Sequence, residues 1–343
     1  MSIPATMLAI CAGAPGAADV LQAAAVPVPR PGPGQVLVRV DAASVNFSDV
    51  KRRRGDVYPF PTDWPYTPGG EIAGTVAACG QGVDGFAPGT PVFGLAGGDG
   101  RGGYAQYAVA VAAQLNAIPP GLDAARASAL VIAGGTAMLL LRDAGRLASG
   151  ETVLIPGAAG GVGQYAVQIA RQRGARLVIA TASSPARAQA ALALGAHVAI
   201  DDTRPGWADE VLRATDGAGV DLLLESAGGA VLAQGLRALA PFGRAIVYGA
   251  ASGLAATLGP ADIEHLLYAP ARNQSVEAFN LGGWFMQRPQ AAGTALGELI
   301  GSVLGGAIAV PPITRLPLVQ AAEAHRRMEG RQVVGKIVLE PWA

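Results

Sequence analysis

The 343-residue chain is poor in the residues that build metal sites and charged surfaces. It has two cysteines, Cys11 and Cys79, and three histidines, His197, His265 and His325. Two cysteines exclude a disulfide framework and a four-cysteine zinc lobe, and they read as free thiols in a reducing compartment. Only 15% of residues are charged, against roughly 25% in ordinary globular proteins. The 25 basic and 25 acidic residues cancel, which argues against a nucleic-acid partner, because such proteins carry a basic excess. Aromatic residues make up 5% and the hydrophobic set 51%, so the apolar mass is mostly Ala, Val, Leu and Ile. Long unbroken apolar runs are also missing. Ala127–Leu141 is 15 residues and holds Gly134 and Gly135, short of the ~20 that cross a bilayer. No membrane partner is expected. The opening MSIPATMLAI has no basic residue before its apolar ones, so no signal peptide is read and the cytoplasm is the expected location.

Glycine and proline are abundant, at 48 and 25, and their placement organises the chain. Short alternating segments at Gln35–Asp41, Glu71–Ala78, Pro91–Leu95 and Tyr104–Val111, separated by Gly/Pro loops, predict a β-rich, barrel-like domain. Leu122–Gly134 and Thr136–Leu147 read as helices. Beyond them, strands are expected at Thr152–Pro156, Arg176–Ala180, His197–Asp201, Val220–Glu225 and Arg244–Tyr248, with helices between. Five apolar strands alternating with helices imply a doubly wound parallel sheet. A helix from Pro289 to Leu304, a helix over Pro317–Met328 and a strand at Gly335–Leu339 complete the reading.

The most informative segment is TVLIPGAAGGVGQYAVQIARQR, residues 152–173. An apolar strand runs into Gly157, Ala159, Gly160, Gly161 and Val162, and then into a helix. Glycines allow close backbone approach to a pyrophosphate, and the helix start offers free N–H groups. NAD sites place a carboxylate at the end of the second strand, about 20 residues on. Here no acidic residue lies between Glu151 and Asp201. The second strand instead leads into Ser183, Ser184 and Arg187, which suit a 2′-phosphate. NADPH is therefore the expected cofactor.

Asn46-Phe-Ser-Asp49 with Arg54-Gly55 and Tyr58-Pro59, Pro68-Gly-Gly-Glu71-Ile-Ala-Gly74, Gly157–Gly163 with Gln168, and Val334-Gly-Lys336-Ile-Val338 recur in order along the chain. With these motifs the chain resembles the zinc-independent quinone oxidoreductase branch of the medium-chain dehydrogenase/reductase superfamily. The resemblance implies an α/β fold: a GroES-like β-rich catalytic domain (1–123 and 306–343) plus a Rossmann doubly wound parallel-sheet domain (124–305). It implies reduction of a small-molecule quinone or enone, with an enoyl-thioester reductase or a non-catalytic NADPH-binding protein as alternatives, and a homodimer. Zinc-dependent relatives carry a cysteine where Asn46 stands and a histidine where Gly70 stands, so no metal is expected. Asn46, Tyr58 and Asp49 are the expected catalytic-site residues. Asn46 is placed near the nicotinamide ribose, Tyr58 is the candidate proton donor, and Asp49 orders the loop. Thr136, Ser226, Tyr248, Gly249, Ala250, Phe279, Leu281 and Lys336 are expected to contact the cofactor. The run Lys51–Arg54 reads as a solvated face or as a phosphate or CoA patch. Trp64, Tyr66, Trp284, Phe285 and Met286 read as loop residues that line a substrate pocket or pack in the core.

Overall fold

A computed structural model describes residues 3–251, 257–269 and 272–343. They divide into two compact units, 1–132 with 312–343, and 133–311. The sequence placed these divisions at 123/124 and 305/306.

The first unit holds strands β1 (Thr6–Cys11), β2 (Gln22–Pro27) and β3 (Gln35–Val45), helix α1 (Phe47–Arg54), and strands β4 (Glu71–Cys79), β5 (Pro91–Leu95), β6 (Tyr107–Val111) and β7 (Leu115–Ala117). Helix α2 follows at Ala124–Ala144. The second unit holds β8 (Thr152–Ile155), α3 (Gly161–Gln172), β9 (Leu177–Ala182), α4 (Pro185–Ala193), β10 (Val198–Asp201), α5 (Trp207–Ala214), β11 (Val220–Glu225), α6 (Val231–Arg237) and β12 (Leu239–Val247). It continues through α7 (Pro260–Tyr268), β13 (Ser275–Ala278), α8 (Leu281–Gln287) and α9 (Pro289–Leu304). The chain then returns to the first unit with β14 (Ile313–Pro317), α10 (Ala321–Glu329) and β15 (Lys336–Glu340).

In the first unit β3 is the organising strand. Its first half, Gln35–Arg39, pairs with β6, and its second half, Ala43–Val45, pairs with β15. Two register shifts against β4, at Leu37/Val38 and Val40/Ala42, let one strand serve both sides. Val36, Val38 and Val40 point into one apolar core with Ile72, Val92, Ile337 and Leu339. The result is the GroES-like barrel.

The second unit is a six-stranded sheet in the order β10-β9-β8-β11-β12-β13, parallel throughout. This is the Rossmann order 3-2-1-4-5-6. Every residue of β8 is buried, as expected for a strand covered on both faces. Five strands were expected; β13 is the sixth. Its sequence, SVEA, has one β-branched apolar residue and no alternation long enough to read.

Helix α2 also departs from expectation. The break at Gly134–Gly135 is absorbed: π-helical turns at Leu130–Gly134 and Leu140–Ala144 flank an α-helical Gly135–Leu139, and the helix runs 21 residues. By length and composition alone it could cross a membrane, but most of it is buried within the protein.

Candidate active site

Strand β3 ends at Val45, and α1 starts one residue later. Asn46 is therefore the N-cap, where its side chain would ordinarily accept from the first turn. Here Asp49 reaches back and accepts the Asn46 N–H at 2.8 Å. The Asn46 amide turns elsewhere. Its Nδ2 donates to Glu71 Oε2 at 3.0 Å and to the Ser44 carbonyl at 3.3 Å. Its Oδ1 accepts from Lys336 Nζ at 2.6 Å.

Sheet register brings these partners in. Ser44 lies opposite Glu71, and Val45 lies opposite Ile337, next to Lys336. Lys336 also donates to the Val45 carbonyl at 3.2 Å and sits 3.7 Å from Glu71 Oε2. The other Glu71 oxygen accepts the Ile132 N–H at 2.9 Å. Glu71 is 0% exposed, Lys336 3% and Asn46 6%. Burial pushes the Glu71 carboxyl up, and the Lys336 ammonium pulls it back. Burial likewise pushes Lys336 down, and Glu71 opposes it.

Asp49 is buried and takes four hydrogen bonds. Besides Asn46, the Gly69 and Gly70 N–H groups donate at 3.3 and 3.2 Å, and the Tyr104 hydroxyl donates at 3.3 Å. Burial raises its carboxyl to about 6, against these hydrogen bonds and Lys336, which lower it. Tyr104 in turn meets His325 Nε2 at 3.1 Å. With the phenol proton committed to Asp49, His325 Nε2 is the donor and Nδ1 is left as a bare acceptor without a partner. Burial, with Arg53 nearby, depresses His325 to about 3.

The basic run Lys51–Arg54 is not a solvated face throughout, because its two central residues are buried. Arg52 and Arg53 are 1% and 0% exposed. Arg52 donates to the Pro61, Asp99 and Gly100 carbonyls, so it ties two loops to α1. Its guanidinium also lies 5.0 Å from the Tyr58 ring and 4.9 Å from the Tyr66 ring. Arg53 pairs with Glu329 at 2.6 Å. Tyr58 is half-buried, and desolvation, with Asp49 close by, raises its hydroxyl. Tyr66 is fully buried, and Trp64 packs edge-on to it against the core. Gly70 lies against the backbone: a Cβ there would come 3.2 Å from the Gly100 carbonyl. Among the described residues no group of three or more His, Cys, Asp or Glu is placed to hold a metal ion.

In the second unit β8 stops at Ile155, Pro156 is buried, and the chain reverses at Gly157 with φ +65°. Gly160 is the N-cap of α3 and gives no side-chain bond to it. A Cβ on Gly163 would meet the Gly157 carbonyl at 2.5 Å and Ala158 Cα at 2.6 Å, so only glycine lets the helix pass this close to the turn. Gln164 Nε2 pins the turn through the Ala159 carbonyl at 2.9 Å. Gly161 and Val162 form the first turn of α3, half-buried rather than sealed.

The other expected contacts lie just past the carboxyl ends of strands, where open parallel sheets bind ligands. Ser183 and Ser184 follow β9, and Ser184 caps α4 by accepting the Arg187 N–H at 3.4 Å. Ser226 follows β11 and bonds the hydroxyl of Tyr248, which burial pushes up to about 12. A Cβ on Gly249 would lie 3.2 Å from the Ser226 carbonyl, and Ala251 N–H, just beyond Ala250, donates to that carbonyl. Phe279 follows β13 and stacks on Trp284 at 6.0 Å. Leu281, Trp284, Phe285 and Met286 lie in α8, not in a loop. Thr136 is buried between the two π-helical turns.

Four participants were missed as site residues in the sequence: Glu71, Tyr104, His325 and Asp202. A carboxylate heading the apolar strand EIAGTVAA was a readable sign of Glu71. Asp202 modifies the carboxylate-free picture of the second strand. Its Oδ2 accepts from Thr181 Oγ1 in β9 at 2.6 Å, brought there by the neighbouring strand.

Two family models match: "Alcohol dehydrogenase GroES-like domain" over residues 32–120 and "Zinc-binding dehydrogenase" over 161–293. A quinone oxidoreductase of Pseudomonas syringae pv. tomato DC3000 superposes with TM-score 0.89 at 32% identity, covering 98% of this chain and 100% of that one. The Escherichia coli quinone oxidoreductase complexed with NADPH superposes with TM-score 0.89 at 28% identity, covering 97% and 100%. The phthioceranic/hydroxyphthioceranic acid synthase of Mycobacterium tuberculosis is 36% identical over 331 residues, 95% of this chain. The chain spans about 15% of the length of that synthase. A GroES-like unit joined to a Rossmann unit defines an oxidoreductase of the dehydrogenase type. Within that class, the chain belongs to the quinone oxidoreductase branch of the medium-chain dehydrogenase/reductase superfamily.

Proposed function

We propose that the chain is an NADPH-dependent reductase that delivers hydride to a quinone or an α,β-unsaturated carbonyl without a metal. The carrying observation is the glycine turn that opens α3 at the carboxyl edge of the parallel sheet. A 12-residue helix presents its first N–H groups there with no side-chain cap, which is the chemistry of a pyrophosphate site. The fit is steric as well, since Gly163 allows a turn that a Cβ would push apart.

Gly157, Ala159, Gly160, Gly161 and Val162 hold the pyrophosphate in this reading. Ser183, Ser184 and Arg187 take the 2′-phosphate. Thr136, Ser226, Tyr248, Gly249, Ala250, Phe279 and Leu281 line the rest of the cofactor. Bound NADPH supplies the hydride, and the protein supplies position and field. Tyr58, which like any phenol keeps its proton at neutral pH, donates to the substrate oxygen as charge develops there. Asp49 fixes the loop that carries Asn46 and is not the acid. Lys336 already places an ammonium between Asn46 and Glu71, which disfavours a second cation there and supports the metal-free reading. A cytoplasmic homodimer, paired through the open edge strand β13, completes the proposal.

The test is NADPH oxidation against 1,4-benzoquinone, 9,10-phenanthrenequinone, an alkenal and crotonyl-CoA, repeated with NADH and with Arg187→Ala. Turnover on a quinone or the alkenal is expected, with the NADPH/NADH preference falling roughly tenfold in the variant, the scale of one charged contact. An unmoved preference would remove Arg187 from the 2′-phosphate. The similarity to the mycobacterial synthase over 95% of the chain supports a second reading, an enoyl-thioester reductase, which turnover confined to crotonyl-CoA would favour. Tight NADPH binding with no turnover on any of the four would indicate a non-catalytic binding protein.

A further inference from the structure

Arg52, in α1, is a fully buried cation, and burying an ion is costly unless each of its donors is met. A guanidinium has five N–H donors around its edge, and all five are met. Nε donates to Thr62 Oγ1 at 3.3 Å. Nη1 donates to the Asp99 and Gly100 carbonyls at 3.0 and 3.3 Å. Nη2 donates to the Pro61 carbonyl and to Asp99 Oδ2, both at 3.2 Å. With the edge used up, only the flat faces remain to make contacts. The guanidinium carbon lies over the rings of Tyr58 and Tyr66, 5.0 and 4.9 Å from their centroids, within cation–π range. The two rings differ. Tyr66 is 1% exposed, and backbone hydrogen bonds of 2.8 Å run both ways between it and Ala12. Tyr58 is half-buried in the loop after α1. Arg52 thus joins a fixed ring to a ring in a loop, and it pins that loop at Pro61 and Thr62. All of these residues belong to the first unit.

We infer that Arg52 is a positioning residue for Tyr58: it fixes the phenol ring and keeps a cation against that ring while the hydroxyl gives up its proton. The inference rests on the reductase reading above, in which Tyr58 is the proton donor. In the step it serves, hydride from the reduced nicotinamide bonds to the substrate carbon, and the displaced electron pair moves to the substrate oxygen. The Tyr58 O–H bond breaks, its proton passes to that oxygen, and the phenolate regains a proton from water. The attraction between the guanidinium and the ring grows as the ring turns anionic. Burial, Asp49 and Asp99 hold the proton on the phenol, and Arg52 and a hydrogen bond with Ser48 oppose them.

The test is a double-mutant cycle. Arg52→Met and Arg52→Lys are each made in the wild-type chain and in the Tyr58→Phe background. Thermal unfolding checks the fold, and kcat and KM are measured on whichever acceptor the panel identifies, at saturating NADPH. Arg52→Met leaves Asp99 with Arg101 at 3.2 Å, so no carboxylate is stranded. It is expected to lower kcat roughly tenfold, the scale of one desolvated cation–π contact. Arg52→Lys keeps the cation with three donors in place of five, and its loss is expected to be roughly threefold. In the Tyr58→Phe background both losses are expected to vanish. If Arg52→Met does not fold, Arg52→Lys carries the same cycle. Equal losses in the two backgrounds would overturn the inference, because Arg52 would then act on the fold and not through Tyr58. A loss confined to the acceptor KM would also overturn it. Wild-type kcat in Tyr58→Phe alone would take the donor role from Tyr58, and the inference would fail with that role before Arg52 is changed. Absence of turnover in the wild type would instead remove the reductase reading itself, and the inference with it.

Discussion

At the start of α1, Asn46 is crowded by Asp49, Glu71 and Lys336, and each of its polar atoms has a partner within the protein. At the start of α3, Gly160 brings no side chain, and the turn from Gly157 to Gly163 carries only two alanines and one valine among its glycines. Both are helix N-termini with the same unsatisfied N–H groups. The contrast shows two ways of preparing a site. Where the backbone itself is to bind an anion, side chains are removed. Where one amide is to be held, a buried network of donors and acceptors fixes which end faces which partner. The first arrangement tolerates no Cβ at Gly163, and the second tolerates no missing partner.

The comparison breaks most visibly at Asp49. Its Oδ1 faces two N–H donors, and its Oδ2 faces another N–H and the Tyr104 hydroxyl. Asp49→Asn puts an amide nitrogen against two backbone N–H donors in one orientation, and against one N–H and a Tyr104 hydroxyl that must reverse in the other. A loss of about 3 kcal/mol is expected in chemical denaturation, the cost of stranding buried donors. A loss under about 1 kcal/mol would mean that the loop rearranges freely.

A smaller effect comes from His325 at the far end of the same network. Its folded pKa is depressed to about 3 from 6.5. Between those values the unfolded chain binds a proton that the folded chain refuses, so stability falls as pH drops from 6.5 toward 3. His325→Phe is expected to flatten that acid limb while costing stability at pH 7, where Tyr104 loses its partner. The midpoint of urea unfolding across pH 4 to 7 reads both. An acid limb unchanged in the variant would assign it to other groups, with Asp49 not among them. Raised to about 6, Asp49 holds its proton longer in the folded state and so favours folding toward low pH.

The α3 side of this contrast was open in the sequence, because a strand, a glycine turn and a helix are contiguous there. Asn46, Asp49 and Tyr58 were also readable, since they sit in one short motif. The network around Asn46 was not. Its partners lie 25 and 290 residues away, and only the register of β4 and β15 on β3 brings them in. Arg52 and Arg53 misled for a related reason: a basic run reads as exposed until loops from 61 and 99 close over it. Asp202 shows the same limit, since a carboxylate absent along the chain arrives from the adjacent strand.

The central claim, that the bare turn before α3 holds a dinucleotide, is tested most directly by fluorescence titration of NADPH into wild type and Gly163→Ala. A Cβ at 163 would press on the Gly157 carbonyl at 2.5 Å and force the turn open. Saturable binding by the wild type and a loss on the order of 100-fold in the folded variant, about 2.7 kcal/mol, is the predicted result. Equal affinity in the two proteins would place the dinucleotide elsewhere and contradict the account.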